Sequence, residues 1–303
     1  MVQKMRKVVF VSILVFLCLS ASSCRKDLYY DGTTQTVDIN VLWPDTITVP
    51  EGVRAIFFPT DGSTPHVYNL SATGGSVLVP VGEYTVLLFN NDTEYARLQN
   101  TESLSTIEAY TSLLLKAGDT KSFPEQNIVN MPDMFYTYLL KDYQVLGNGT
   151  SADIEAAPKA RVFDSRILVK IVGLKNVSSS RGYISGVAGS YFPGKDSLPV
   201  TSSAVAFDFG QKSSNYISAI MRIFGMSRTL PQQNIFRLSL TLINGENKYY
   251  DFNITDQLKV DLSTGLVITI ADSIVVEDVS GNTGSGFNAT VNDWTNTDAD
   301  VPL

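Results

Sequence analysis

Phe236-Arg237-Leu238-Ser239-Leu240-Thr241-Leu242 runs into Ile243-Asn244-Gly245, and Tyr250, Phe252 and Ile254 follow at every second position. In extended backbone successive side chains point to opposite faces. Phe236, Leu238, Leu240 and Leu242 therefore make one apolar face, and Arg237, Ser239 and Thr241 a polar one, which is the period of a half-buried strand. Asn244-Gly245 between two such runs predicts a hairpin closed by a type I′ turn, whose two central residues need positive φ. Thr255-Asp256-Gln257-Leu258 predicts a short capped turn after it.

The same period extends outward from this hairpin. In the second half of the chain strands are expected at about residues 167–174, 183–190, 204–209, 217–224 and 266–270, and no stretch has a sustained helix period. In the first half Val37, Ile39, Val41 and Trp43 alternate with Asp38, Asn40 and Leu42. Shorter runs follow at about 54–59, 67–70, 76–80 and 83–90, separated by Pro50-Glu51-Gly52, Thr60-Asp61-Gly62, Thr73-Gly74-Gly75 and Pro80-Val81-Gly82. Short strands at regular spacing with turn residues between them predict an all-β fold of sandwich type. Pro132-Asp133 is the one helix-like signal, a proline and an acid suited to a first turn, and predicts a short helix through Leu140. Gly147-Asn148-Gly149-Thr150-Ser151-Ala152 and the polar, alanine-rich stretch to Ala160 read as a linker.

At the amino terminus Lys4, Arg6 and Lys7 precede the apolar run of residues 8–19, which is too short to span a bilayer and has the form of an export signal. Ala21-Ser22-Ser23-Cys24 resembles the lipobox of bacterial lipoproteins, and by that resemblance Cys24 becomes the acylated first residue after cleavage. Cys18 is lost with the leader, so no disulfide is expected. The expected organisation is a signal peptide over 1–23, a tether over 24–36, an N-terminal sandwich over 37–150 and a C-terminal sandwich over 151–303.

Composition narrows the function. Of 303 residues 44% are hydrophobic, with 15 Phe and 14 Tyr but a single histidine, which suits strands and leaves little for imidazole chemistry. The net charge of −7 becomes −10 once the three leader cations are removed. Such a surface repels phosphate backbones, so no nucleic-acid partner is expected. His66, in Ser63-Thr64-Pro65-His66, reads as a surface loop residue, and zinc lacks a ligand set. Ser23 to Lys26 matches Ser-x-x-Lys only across the cleavage point. Gly147 to Ala152 matches Gly-x-Gly-x-x-Ala with no helix after it. Asn90-Asn91-Asp92 and the trio Asp293, Asp298 and Asp300 lack the spacing of a calcium loop and read as solvated turns. Trp43, Trp294, Tyr29, Tyr30 and Tyr191 are candidates for stacking on a sugar, set against the core role usual for aromatics in β proteins. The chain reads as no enzyme and requires no cofactor.

Several stretches together resemble a known family: Cys24-Arg25-Lys26-Asp27-Leu28-Tyr29-Tyr30-Asp31 after the lipobox, Phe57-Phe58-Pro59, the run from Gly82 to Glu94, Pro132-Asp133-Met134-Phe135-Tyr136, Gly245 to Gln257, and Gly286-Phe287-Asn288-Ala289-Thr290-Val291-Asn292-Asp293-Trp294. These resemble a lipoprotein family of gut and oral Gram-negative anaerobes that is similar to the FimB-like and Mfa-like fimbrial anchor proteins. The resemblance implies two tandem transthyretin-like β-sandwich domains and a place as anchor, tip or accessory subunit of a type V pilus. It also implies an outer-membrane, lipid-anchored, cell-surface protein. The family has no assigned catalytic residues, so none carry over. The expected partners are the membrane through lipid on Cys24, pilin or other fimbrial subunits, and a host or glycan ligand. Exposed strand edges accept other chains. The candidate joints are the first strand, with Val37, Ile39, Val41 and Trp43, and the last, with Phe287, Val291 and Trp294. The alternative is a surface glycan-binding lipoprotein.

Overall fold

The hairpin is present, with a different turn. In the computed structural model, which describes residues 33–114, 126–147, 153–227, 233–259 and 266–278, its strands are Ile235–Leu242 and Asn247–Asn253. The Gly245 amide donates to the Leu242 carbonyl at 2.9 Å and the Leu242 amide to the Glu246 carbonyl at 2.8 Å. Gly245 has φ 85°, whereas Asn244 is not among the residues at positive φ. The loop is therefore a three-residue one, an ordinary turn followed by a left-handed glycine, in place of type I′. Asn244 contributes its side chain, whose Oδ1 accepts the Glu246 amide at 3.0 Å.

The chain is all-β, as expected. The first half carries strands Thr34–Val41 (β1), Gly52–Pro59 (β2), His66–Ser71 (β3), Gly74–Pro80 (β4), Gly82–Asn90 (β5), Ala96–Gln99 (β6), Glu108–Thr111 (β7), Asn127–Val129 (β8), Tyr136–Val145 (β9), Ile154–Ala156 (β10) and Lys159–Ala160 (β11). The second carries Phe163–Val172 (β12), Val177–Val187 (β13), Ser190–Tyr191 (β14), Ser203–Asp208 (β15), Gln211–Lys212 (β16), Tyr216–Ile223 (β17), the two hairpin strands (β18 and β19) and Leu266–Val275 (β20). Single 3₁₀ turns at Leu174–Asn176 and Gln257–Lys259 are the described helical segments.

The largest sheet has the order β10-β1-β4-β3-β2-β5-β9-β11. Between β3 and β4 its only rung is Ser71 with Gly74, so the sheet turns a corner there and its two parts face each other. Val37, Ile39, Val77, Val79 and Ile154 on one side of that corner pack with Val53, Ala55, Phe57, Val86 and Leu88 on the other in a single buried cluster. Gly74, at φ +99°, lies against the Ile39 carbonyl, where a Cβ would collide with it.

In the second half two sheets, β16-β17-β12-β20 and β19-β18-β13-β15-β8, face each other. Ile167, Val169, Ile217, Met221 and Ile268 meet Ile184, Phe207, Phe236, Leu238 and Leu240 between them. Phe236, fully buried, stacks on Phe207 and Phe252 with ring centroids 6.2 and 5.8 Å apart. The apolar face read from the sequence is the one buried.

A third cluster joins the halves. Ile56, Phe58, Leu87 and Phe89, on the other face of β2 and β5, pack with Ile107, Ala109 and Phe135 and with Val162, Ala188, Tyr191 and Phe224 of the second half. Strands also cross over. β8 adds in parallel to β15, with Ile128 opposite Ala204, and β14 pairs with β7, Tyr191 opposite Ala109.

Three expectations change. No helix follows Pro132-Asp133; β9 begins at Tyr136 and pairs with β5 from Phe89 to Gly82. Asp133 instead accepts the amides of Glu94 and Tyr95 at 2.7 and 2.6 Å, clamping a neighbouring loop, so non-local pairing overrides the local helix signal. The segment expected to link two domains returns to the first sheet: Ile154–Ala156 pairs in parallel with Ile39–Val41, and Lys159–Ala160 pairs with β9. The 150/151 boundary thus cuts residues that fold together. β1 starts at Thr34, inside the segment read as tether.

Candidate partner-binding edges

A strand at the end of a sheet offers unpaired main-chain groups to another chain, and folds limit this by keeping such strands short or charged. Most ends here are short. β8, β10, β11, β14 and β16 have two or three residues each. β19 has seven, with Lys248 and Asp251, and Asp251 is forked to Arg237 at 2.6 Å. β20 has ten and carries no charge from Leu266 to Ile270. It pairs in parallel with β12 and has no second neighbour among the described residues. On the outer face of this sheet Val267 and Val275 are 61% and 63% exposed, and Ile220 is 51% exposed.

The predicted joint at the first strand is corrected. β1 is interior where it matters, with β4 on one side and β10 on the other over Ile39–Val41. Val37, Ile39 and Val41 point into the core and are buried. Trp43 is held too: its indole N–H donates to the Ala72 carbonyl at 2.8 Å and its ring meets Tyr136 edge-on at 5.5 Å. Alternation identified the buried face, but a strand is an edge only by virtue of what pairs beside it. Cys24, Tyr29, Tyr30, Phe287, Val291 and Trp294 lie outside the described residues.

The other singled-out residues have structural partners. His66 opens β3 opposite Phe57, in a strand and not in the expected loop, with its ring 6.1 Å from that of Tyr84. Asn90 is a buried clamp: its Nδ2 donates to Asp92 at 2.9 Å and to the Met134 carbonyl at 3.0 Å, and its Oδ1 accepts the Tyr136 amide at 2.8 Å. Tyr191, a candidate sugar platform, is 4% exposed. Its hydroxyl donates to Asp196 at 2.6 Å, and the Arg161 guanidinium lies over its ring while pairing with Asp196 at 2.8 Å. Burial, reinforced by the bond to Asp196, pushes the Tyr191 hydroxyl far above the usual tyrosine range. Burial also pushes Tyr143 up, to about 12, with the Asp153 charge adding to it. Sequence reasoning missed the Arg161–Asp196–Tyr191 network at the crossing between halves, because Arg161 lies 30 and 35 residues before Tyr191 and Asp196, in a different segment. Among the described residues no group of three or more His, Cys, Asp or Glu side chains is placed to hold a metal, and no helix is long and apolar enough to cross a membrane.

Two all-β cores are thus joined by a shared cluster and by strands crossed between the halves. Residues 22–208 match the family described as a domain of unknown function (DUF5119), and the chain belongs to that family. It is 30% identical over 218 residues to a Bacteroides ovatus protein named "Putative fimbrium anchoring subunit Fim4B", a match covering 71% of this chain and 64% of the relative's length. The resemblance to fimbrial anchors read from the sequence is thereby borne out. A crystal structure of a "putative adhesin" from B. ovatus superposes with a TM-score of 0.67 at 25% identity, over 84% of this chain and 96% of that one. A second B. ovatus "putative adhesin" shares the fold, with a TM-score of 0.52 at 11% identity over 78% and 88%.

Proposed function

We propose that this chain is a non-enzymatic, fimbrium-associated, adhesin-like subunit of the cell surface. The 30% identity to a fimbrium anchoring subunit carries the reading. The superposition on an adhesin over 84% of the chain supports it. In this reading the chain is exported under its leader and held to the outer membrane by acyl chains on Cys24, several together being needed for stable anchoring. It meets a pilin or another fimbrial subunit by strand addition, with the segment bearing Phe287, Val291 and Trp294 as the joint. The glycan alternative loses two of its five aromatic platforms, since Trp43 and Tyr191 are engaged inside the fold.

The test is made in the producing bacterium. Deleting the gene is expected to leave fimbriae shed into the medium or absent, and Cys24→Ala to give a protein that takes up no clickable palmitate analogue and does not sort to the outer membrane. Normal, cell-attached fimbriae in the deletion strain would overturn the reading. A chain lacking residues 287–303 that captures pilin as well as the full mature chain would remove the carboxyl-terminal joint alone.

A further inference from the structure

Gln257 sits in the 3₁₀ turn after the hairpin, 12 residues from Thr269 on β20. Its side-chain Nε2 donates to the Thr269 carbonyl at 3.2 Å, and its Oε1 accepts the Thr269 amide at 3.1 Å. Along a strand the two main-chain groups of one residue point to the same side, and those of the next residue to the other. β20 is bonded to β12 on one side only, and both groups of Thr269 are taken by Gln257. They therefore face the open side, and Val267 shares that side.

A carboxamide that gives one N–H and takes one N–H from the same residue reproduces the hydrogen-bonded pair of an antiparallel ladder. Gln257 thus occupies the rung that an added strand would use, on the longest uncharged edge among the described strands. The turn holding it is fixed from behind, the Gln257 and Leu258 amides donating to the Ile254 carbonyl at 3.0 and 3.2 Å, with Leu258 buried.

We infer that the open side of β20 is a strand-addition site held shut by Gln257, and that its occupant once the plug is removed is β20 of a second copy of this chain. An edge pairing antiparallel with itself is self-complementary about a two-fold axis, and here the axis passes through Thr269, with the same bonds made from both sides. The stretch is rich in Val, Ile and Thr and carries no charge to oppose the pairing. Beyond Ile270 a bulge against β12 shifts the register, which confines the site to the stretch centred on Thr269. The inference does not depend on the fimbrial reading, since the experiment uses this chain alone.

The mature chain with Cys24→Ala is compared by sedimentation velocity with the same chain carrying Gln257→Met, which keeps the side-chain volume and loses both bonds, and with Gln257→Ala. The parent is expected to sediment as a monomer and both variants as concentration-dependent dimers. Adding Thr269→Lys to either variant is expected to restore the monomer, because it sets two like charges directly opposite each other at the two-fold axis. Circular dichroism confirms that each variant is folded. Folded Gln257→Met that stays monomeric up to the highest concentration examined, or a dimer indifferent to Thr269→Lys, would overturn the inference.

Discussion

The two halves reach the same two-layer packing by different routes. In the second half the core strands alternate: β18 buries Phe236, Leu238, Leu240 and Leu242 and leaves the residues between them half-buried. In the first half β2 and β5 do not alternate at their centres. Ala55 to Phe58 and Val86 to Phe89 are buried without a break. One face of these strands fills the first core, and the other fills the cluster that joins the halves. Alternation therefore marks a layer with one dry face, and an unbroken apolar run marks a layer between two cores.

The largest expected effect tests that junction. Phe135 is fully buried there against Phe89, its ring 6.0 Å away. Phe135→Ala is expected to lower stability by about 3–5 kcal/mol in denaturant unfolding. It should also split one transition into two, as the halves lose their coupling. Phe236→Ala, of similar cost but inside the second core, should lower stability without separating the halves. If both variants unfold in the same single transition, the distinction between junction and core is broken.

Gly74→Ala, at the corner of the first sheet, is next. Its φ of +99° and the adjacent Ile39 carbonyl leave no room for a methyl group. A loss of about 1–3 kcal/mol is expected, read as a lower denaturant midpoint. Gly245→Ala, equally left-handed at φ +85° but with nothing near its Cβ, should cost only about 1 kcal/mol. Equal losses would show that the corner is no tighter than the exposed turn.

Alkaline pH separates the halves more gently. Tyr143 belongs to the first core, and its folded-state pKa of about 12 lies above the unfolded value near 10. A raised value favours the protonated form in the fold. The contribution is thus complete below about pH 10 and is lost as pH rises through about 12. Tyr143→Phe should flatten the fall of the urea midpoint across that window. An unchanged slope would move the effect to other tyrosines, Tyr191 first. The smallest expected effect is the Arg237–Asp251 pair on the second-half surface, where a double-mutant cycle should give no more than about 1 kcal/mol, decreasing with salt.

Much of the second half was legible in the sequence, since its strands bury one face and local alternation names that face. The hairpin at Asn244-Gly245 was located correctly and its turn type was not, because one left-handed residue suffices when the loop has three residues. Pro132-Asp133 misled because its local cue is real but the sheet needed that chain as β9. The alternation of Val37, Ile39 and Val41 marks a strand but not an edge, since β10, the strand that covers Ile39–Val41, lies more than 110 residues away. In the sequence Gln257 is legible only as part of a turn. That its carboxamide reaches β20 depends on where the turn is carried.

By itself the sequence determined that this chain is all-β and acidic, and which face of each alternating strand is dry. Those properties follow from local backbone geometry and from the transfer of side chains out of water. The tertiary structure alone decided which strands are neighbours, where the halves exchange β8 and β14, and that β20 is left at an edge under Gln257. Main-chain hydrogen bonds are the same for every residue, so pairing between distant strands leaves little mark on side-chain pattern until the whole chain is packed.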